Sequence, residues 1–433
     1  MLLKLNQVFL KRYLNVLRIS YSTNYEDILF ADEIAEPKEK TSFKKQNRPR
    51  SQKIINYFAN KPHFDEVVKL IPPEYFVSKR RLALQHLHLA DKDIAKDVTS
   101  HVLPFVLRNK EQIICETNAG LGLISAELLQ NNIETVRMYE TCPDFRNLIK
   151  DLYASYLDRI ELFVKDIYSL SMLAYIDKYD NQGRVEQLLQ GVPRRSWKDD
   201  PVMTIIGPMA NLKFIDYLMK MLALQQGIAC LGRIQIFALM KPLDYFKCTA
   251  TTGMSLRIYQ VLSILFQLFF DCKLIEKYPR KSFLPWETKP SSVSPKMFEY
   301  IQEDMDYIYL VQINFKQTLP VKAEHLLYLY YFVKQGFRRG RTLVIPTLET
   351  WLPDIGTKLI VSRTKYKSKS YSNMNIYTQF CQLTPTQILH LFLEMTDHPE
   401  FQDSPFVALI ESSLIKTETI ESDLVSNKNI RSK

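Results

Sequence analysis

Ile113-Ile114-Cys115-Glu116-Thr117-Asn118-Ala119-Gly120-Leu121-Gly122-Leu123-Ile124-Ser125 is the stretch on which the fold turns. Its apolar start predicts a buried strand, its glycines a tight turn, and Leu123 the first turn of a helix. Glycine supplies the φ > 0 conformations that side chains forbid and lets backbone N–H groups come close to a ligand. The acidic Glu116 at the strand end disfavours a phosphate and suits a hydroxyl-rich or cationic guest such as a nucleoside. An ordinary strand-to-helix turn would have the same spacing, because Gly-x-Gly alone is common.

On either side of this stretch the pattern alternates. Helix is expected around Asp93–Val98, strand at Gln112–Glu116, helix at Leu123–Gln130, strand at Thr135–Glu140 and helix at Asp144–Tyr156. Strands follow at Ile160–Val164, Val202–Ile206 and Arg233–Met240, with a helix at Phe214–Gln225 between the last two. Strands separated by helices predict a Rossmann-like, doubly wound parallel sheet. Leu256–Phe270 reads as a long apolar helix, and strands near Cys272–Glu276 and Asp306–Phe315 read as an antiparallel edge. After Pro320 the chain reads as helices, including Ala323–Lys334 and Pro385–Met395 with Thr384 as N-cap. The expected division is 1–25 leader, 26–72 basic arm, 73–318 α/β domain with a surface insertion at 177–201, 319–405 helical domain, and 406–433 polar tail.

Three carboxylates end consecutive strands: Glu116, Glu140 and Asp166. Ligands of doubly wound sheets sit outside the carboxyl ends of the strands, so all three face one crevice. The second is placed to accept both ribose hydroxyls and the third an adenine amino group. Each could equally be the N-cap of the helix that follows.

The 433 residues carry a net charge of +10, which suits an acidic partner. The basic residues gather in Lys44, Lys45, Arg48 and Arg50, in Arg194-Arg195-Ser196-Trp197-Lys198, in Arg338, Arg339 and Arg341, and from Lys358 to Lys369. The arm cluster and the Arg338–Arg341 cluster are the candidate nucleic-acid contacts, with a solvated face as the plainer reading of any charge run. Trp197 is a base-stacking candidate or, by preference, a loop anchor, and Tyr328, Tyr330, Tyr331 and Phe332 read as helical core. The six cysteines and seven histidines form no metal-ligand spacing, and no apolar run is long enough for a membrane span. Met1–Tyr25 has basic residues, no acidic residue and one apolar helical face, the pattern of a mitochondrial presequence.

The chain resembles the rRNA adenine N6-dimethyltransferases, and within them the mitochondrial branch that became transcription factors. The resemblance runs from about Phe76 to Phe315, with a weaker match beyond. Leu87-His88-Leu89-Ala90-Asp91-Lys92-Asp93-Ile94-Ala95 looks like the family segment that touches the cofactor, near Leu89. Glu116 to Gly122 looks like the cofactor loop, with Asn118 standing where most members have the first glycine; Asn is the other residue that best tolerates φ > 0. The resemblance implies S-adenosylmethionine as cofactor, held by Leu89, Glu116, Asn118, Gly120, Gly122, Glu140 and Asp166.

The departure comes after the fourth strand. Active members carry Asn-Leu-Pro-Tyr or a close variant there: amide and carbonyl accept from the adenine N6 amine, and the ring stacks on the extruded base. Gly207-Pro208-Met209-Ala210 has neither amide nor aromatic ring. A shifted register would put Asn211-Leu212-Lys213-Phe214 in the role, at the cost of four extra residues after the strand. Leu231–Phe237, Tyr259–Leu268 and Phe283-Leu284-Pro285-Trp286 also resemble the transcription-factor branch. That branch implies a protein of the mitochondrial matrix and nucleoid that joins the single-subunit mitochondrial RNA polymerase at promoter DNA, with methyl transfer lost or weak. The alternative is an active dimethyltransferase acting on mitochondrial small-subunit rRNA.

Overall fold

A computed structural model describes residues 69–71, 87–285, 304–361 and 374–414. The expected presequence and the arm residues Lys44, Lys45, Arg48 and Arg50 lie outside these residues, as do Trp286 and most of the Lys358–Lys369 cluster.

After a short strand β1 (His88–Leu89), helix α1 (Lys92–Arg108) starts on Asp91, whose carboxylate accepts from Asp93 N. Then come β2 (Ile113–Thr117), α2 (Leu123–Gln130), β3 (Val136–Tyr139), α3 (Pro143–Leu152) and β4 (Ile160–Phe163). The expected helix to Tyr156 stops at Leu152, and a 3-10 turn carries the chain on to Arg159. Helices α4 (Leu170–Asp180) and α5 (Arg184–Leu188) lead to β5 (Met203–Met209), α6 (Lys213–Leu224), β6 (Ile234–Met240), α7 (Pro242–Thr249), α8 (Val261–Phe269), β7 (Phe270–Pro279), β8 (Phe283–Leu284) and β9 (Tyr307–Phe315).

Seven strands form one sheet in the order β4-β3-β2-β5-β6-β9-β7, while β1 pairs with β8. The first five are parallel and β9 runs antiparallel to both β6 and β7. Strand order reverses between β2 and β5, which opens a crevice at their carboxyl ends. Side chains alternate across the sheet: Ile114 and Ile206 join the layer with α1, α2 and α3, whereas Cys115 and Ile205 face α6 and α8.

Strand β5 runs three residues beyond the expected end at Ile206. Gly207, Pro208 and Met209 pair with Ala238, Leu239 and Met240, so the segment expected to follow the strand is its last turn of ladder. Gly207 makes this possible, because at φ 134° a Cβ there would stand 2.4 Å from the Thr117 carbonyl oxygen. Pro208 is tolerated because its carbonyl points toward the β2 side, where it accepts from Asn118 Nδ2. Its missing N–H therefore falls on the same side, past the end of β2.

The 177–201 insertion is bolted down. Arg184 bridges Asp177 and Asp180 at 2.9 and 2.6 Å, and Trp197 donates to the Lys316 carbonyl while its ring meets Phe315 edge-on. The anchor reading of Trp197 describes its place.

Helices α9 (Leu326–Gly336), α10 (Val344–Trp351), α11 (Ile355–Val361) and α12 (Pro385–Thr396) close one face, with Thr384 capping α12 by accepting from Gln387 N. Tyr330, Tyr331 and Phe332 are buried among them. Residues 405–414 are helical and bury Phe406, Val407 and Ile410, so the ordered part continues past the boundary expected at 405. Among the described residues no helix is long and apolar enough to cross a membrane.

Candidate nucleoside site and the end of strand β5

The glycine turn adopts the conformation its sequence demands: Asn118, Gly120 and Gly122 have φ of 47°, 58° and 65°. Its two carboxylates are spent on the protein's own backbone. Glu116 is buried and accepts from Ser125 N at 2.8 Å, capping α2. Burial pushes its carboxyl up to about 7, against the lowering effect of hydrogen bonds from Ser125 and Ile124. Glu140 is also wholly buried; one oxygen accepts from Gly120 N and the other from Cys142 N, both at 2.7 Å.

His88 covers this turn. The residue is 2% exposed, and its ring packs at 4.6 Å against Phe145 and places Nδ1 3.3 Å from the Asn118 carbonyl and 3.6 Å from the Glu140 carboxylate. A carbonyl can only accept, so Nδ1 is the donor. A Cβ at Gly120 would lie 3.0 Å from His88 Cβ, and one at Gly122 would strike the Met138 methyl. The close approach that these glycines allow is thus taken up by protein. Leu89, buried beside His88, is paired with Phe283.

Asp166 is half-buried and turns one oxygen to Thr117 Oγ1 at 2.7 Å and Tyr168 N at 3.0 Å. The sheet thus brings Glu116, Asn118, Gly120, Gly122, Glu140 and Asp166 to one end of the crevice, as their positions in sequence imply. The set fits S-adenosylmethionine in its chemistry at Asp166. It does not fit at Glu140, where the carboxylate expected to accept the ribose hydroxyls is buried beneath the His88 imidazole. His88 escaped the sequence reading, although it adjoins Leu89 in the same segment.

The end of β5 is different in kind. Beyond Met209, Ala210 offers its carbonyl to Lys241 Nζ at 3.4 Å, and the Pro208 carbonyl is hydrogen-bonded by Asn118. Asn211 is exposed and its side chain accepts from Lys213 N, so in the shifted register the amide serves as the start of α6. Burial lowers the Lys241 pKa, partly offset by Asp244. Arg338, Arg339 and Arg341 lie exposed in the turn after α9, away from the glycine loop. Among the described residues no group of three or more His, Cys, Asp or Glu side chains could hold a metal ion.

A mostly parallel sheet in this order, with an antiparallel strand inserted next to its outer edge and a glycine turn at its switch point, is the Rossmann-like sheet of S-adenosylmethionine-dependent methyltransferases, here with a C-terminal helical part. Within that class, the chain is similar to mitochondrial dimethyladenosine transferase 2. The Drosophila melanogaster protein is 29% identical over 378 residues, covering 80% of this chain and 84% of its own. The Homo sapiens protein is 21% identical over 273 residues, covering 61% and 68%. Among solved structures, a dimethyladenosine transferase from Plasmodium falciparum aligns over 71% of this chain and 97% of its own, at 14% identity and TM-score 0.40. Magnesium protoporphyrin IX methyltransferase from Synechocystis, solved with bound S-adenosylmethionine, covers 61% and 96% at 10% identity and TM-score 0.27. No protein-family profile matches the chain.

Proposed function

We propose that this chain is a mitochondrial transcription initiation factor that works with the single-subunit mitochondrial RNA polymerase in the matrix nucleoid, binding promoter DNA as it melts. In this reading S-adenosylmethionine binding is vestigial and methyl transfer is lost or weak. The end of β5 carries the argument. The adenine N6 amine is a poor nucleophile, its lone pair delocalised into the ring, and it needs nearby acceptors. Gly207-Pro208-Met209-Ala210 supplies no side-chain acceptor and no stacking ring; its Pro208 and Ala210 carbonyls are already hydrogen-bonded, the latter by a cation. Both curated relatives are named as mitochondrial, which agrees with the composition of Met1–Tyr25.

The exposed arginines Arg338, Arg339 and Arg341 supply phosphate contacts, and the arm residues Lys44, Lys45, Arg48 and Arg50 supply more. The second reading, an active dimethyltransferase of small-subunit rRNA, is favoured by the names of the relatives and by the three carboxylates at the strand ends. One paired experiment separates the two: promoter-dependent run-off transcription with the cognate polymerase, and transfer of labelled methyl groups to the rRNA hairpin. Stimulated transcription with methyl transfer at background is the expected result. Robust dimethylation without stimulation would overturn the proposal.

A further inference from the structure

Away from the glycine loop, a cavity of about 460 Å³ opens between α6, the turn before α8, and the end of α9. Asp216 of α6 and Lys334 of α9 line it together with Tyr259, Phe337, Leu256 and Arg338. Burial pushes the Asp216 carboxyl up and the Lys334 ammonium down, and each is within electrostatic reach of the other. Neither side chain makes a hydrogen bond or a salt bridge with a described residue. Lys334 Nζ sits 5.3 Å over the Tyr330 ring, the buried Lys220 one turn along α6 is a second cation near Asp216, and the Asp216 backbone N–H donates to the Leu212 carbonyl.

Two opposite charges sheltered from water gain most by closing on one another. These two line one cavity without forming a salt bridge to each other. The guest that satisfies both has adjacent N–H donors for the carboxylate and, next to them, an oxygen acceptor for the ammonium. A planar body would lie against Tyr259 and Phe337, whose rings meet edge-on at 6.0 Å. A volume of this size is ordinary for a small-molecule site.

We infer that this cavity takes a guanine nucleotide, with N1–H and the N2 amino group donating to Asp216, O6 accepting from Lys334, and the phosphate at Arg338. Guanine alone among the common bases sets two donors beside a carbonyl on one edge. Adenine would turn its amino group toward Lys334, two donors facing each other. The nucleotide comes either free or as one unpaired residue of a strand.

The test uses the full-length protein with GMP, AMP and UMP in calorimetric titrations, and with short labelled oligothymidylates that carry one guanine or none. At least one guanine ligand is expected to bind about 10-fold or more tightly than its counterparts. Asp216→Asn should remove that preference with the melting temperature unchanged. Leu256→Trp, at a rim position 38% exposed, should block the site by bulk. A preference shown by GMP assigns the free nucleotide, and one confined to the oligonucleotide assigns the strand-borne base. Equal binding of all bases, or a guanine preference that survives Asp216→Asn, overturns the inference. The strand-borne form rests on the nucleic-acid-holding reading above, yet the two fail separately. Run-off stimulation without a guanine preference removes only the cavity's ligand, and a guanine preference without stimulation removes only the transcription role.

Discussion

Two ends of one crevice make unlike use of similar backbone. Around β2 and β3 the buried carboxylates of Glu116 and Glu140 each satisfy N–H groups of the loop or helix beside them. At the end of β5 the segment Gly207-Pro208-Met209-Ala210 carries no side-chain amide and no ring, and Lys241 donates to the Ala210 carbonyl. The difference teaches that a glycine loop with carboxylates at its strand ends can stand for structural reasons. Glu116 caps a helix, Glu140 fixes Gly120 and Cys142, and Gly122 backs onto Met138 and Tyr153. Such a loop says less about chemistry than the strand end does.

The comparison can be broken most sharply at Gly207. An added Cβ meets the backbone of Thr117 at φ 134°, so no side-chain rotation relieves it. Gly207→Ala should cost about 3 to 5 kcal/mol in urea unfolding. A loss below about 1 kcal/mol would mean that β2 and β5 separate easily, and that the strand end is not fixed by this contact.

Glu116 gives the next effect. Its carboxyl rises from 4.5 to about 7, mainly because burial disfavours the charge. The folded state therefore holds the proton more tightly. The stabilisation is complete below 4.5 and is lost as pH climbs through about 7, a difference of roughly 3 kcal/mol. Glu116→Gln keeps an oxygen for Ser125 N and carries no charge. Relative to wild type it should gain on moving from about pH 5 to about pH 8, and a flat difference between the two unfolding curves would remove the buried-carboxyl account.

Lys241→Gln is the gentlest probe. Stability should change by less than about 1 kcal/mol, while the dependence of nucleic-acid binding on salt should lose about one unit of slope if the ammonium meets a phosphate. An unchanged slope would leave Lys241 as a local partner of Ala210 and Asp244.

Much of the sheet was legible because buried strands bounded by helices leave little choice of topology, and Asn118 at φ 47° could be foreseen from its place in the turn. The end of β5 was misjudged because Gly207-Pro208 reads as a break. Its meaning depends on Thr117, which approaches from another strand. Residues 406–414 read as tail because polar residues follow them, although Phe406, Val407 and Ile410 already have helical spacing. Asp216 and Lys334 gave a faint signal as charges inside apolar helices. Only the packing of α6 on α9 shows that they face one space.

The Tyr259 hydroxyl is hydrogen-bonded to the Leu383 carbonyl at 2.5 Å, and one continuous apolar core joins β5, α8, α12 and Phe406. Beside the Asp216–Lys334 cavity, the methyltransferase-like sheet and the helical part therefore share one apolar core. Heating should melt them in a single calorimetric step, and a chain cut after β9 would expose a broad oily surface and come out of solution. Selection on either part is then selection on both, since neither can loosen without the other.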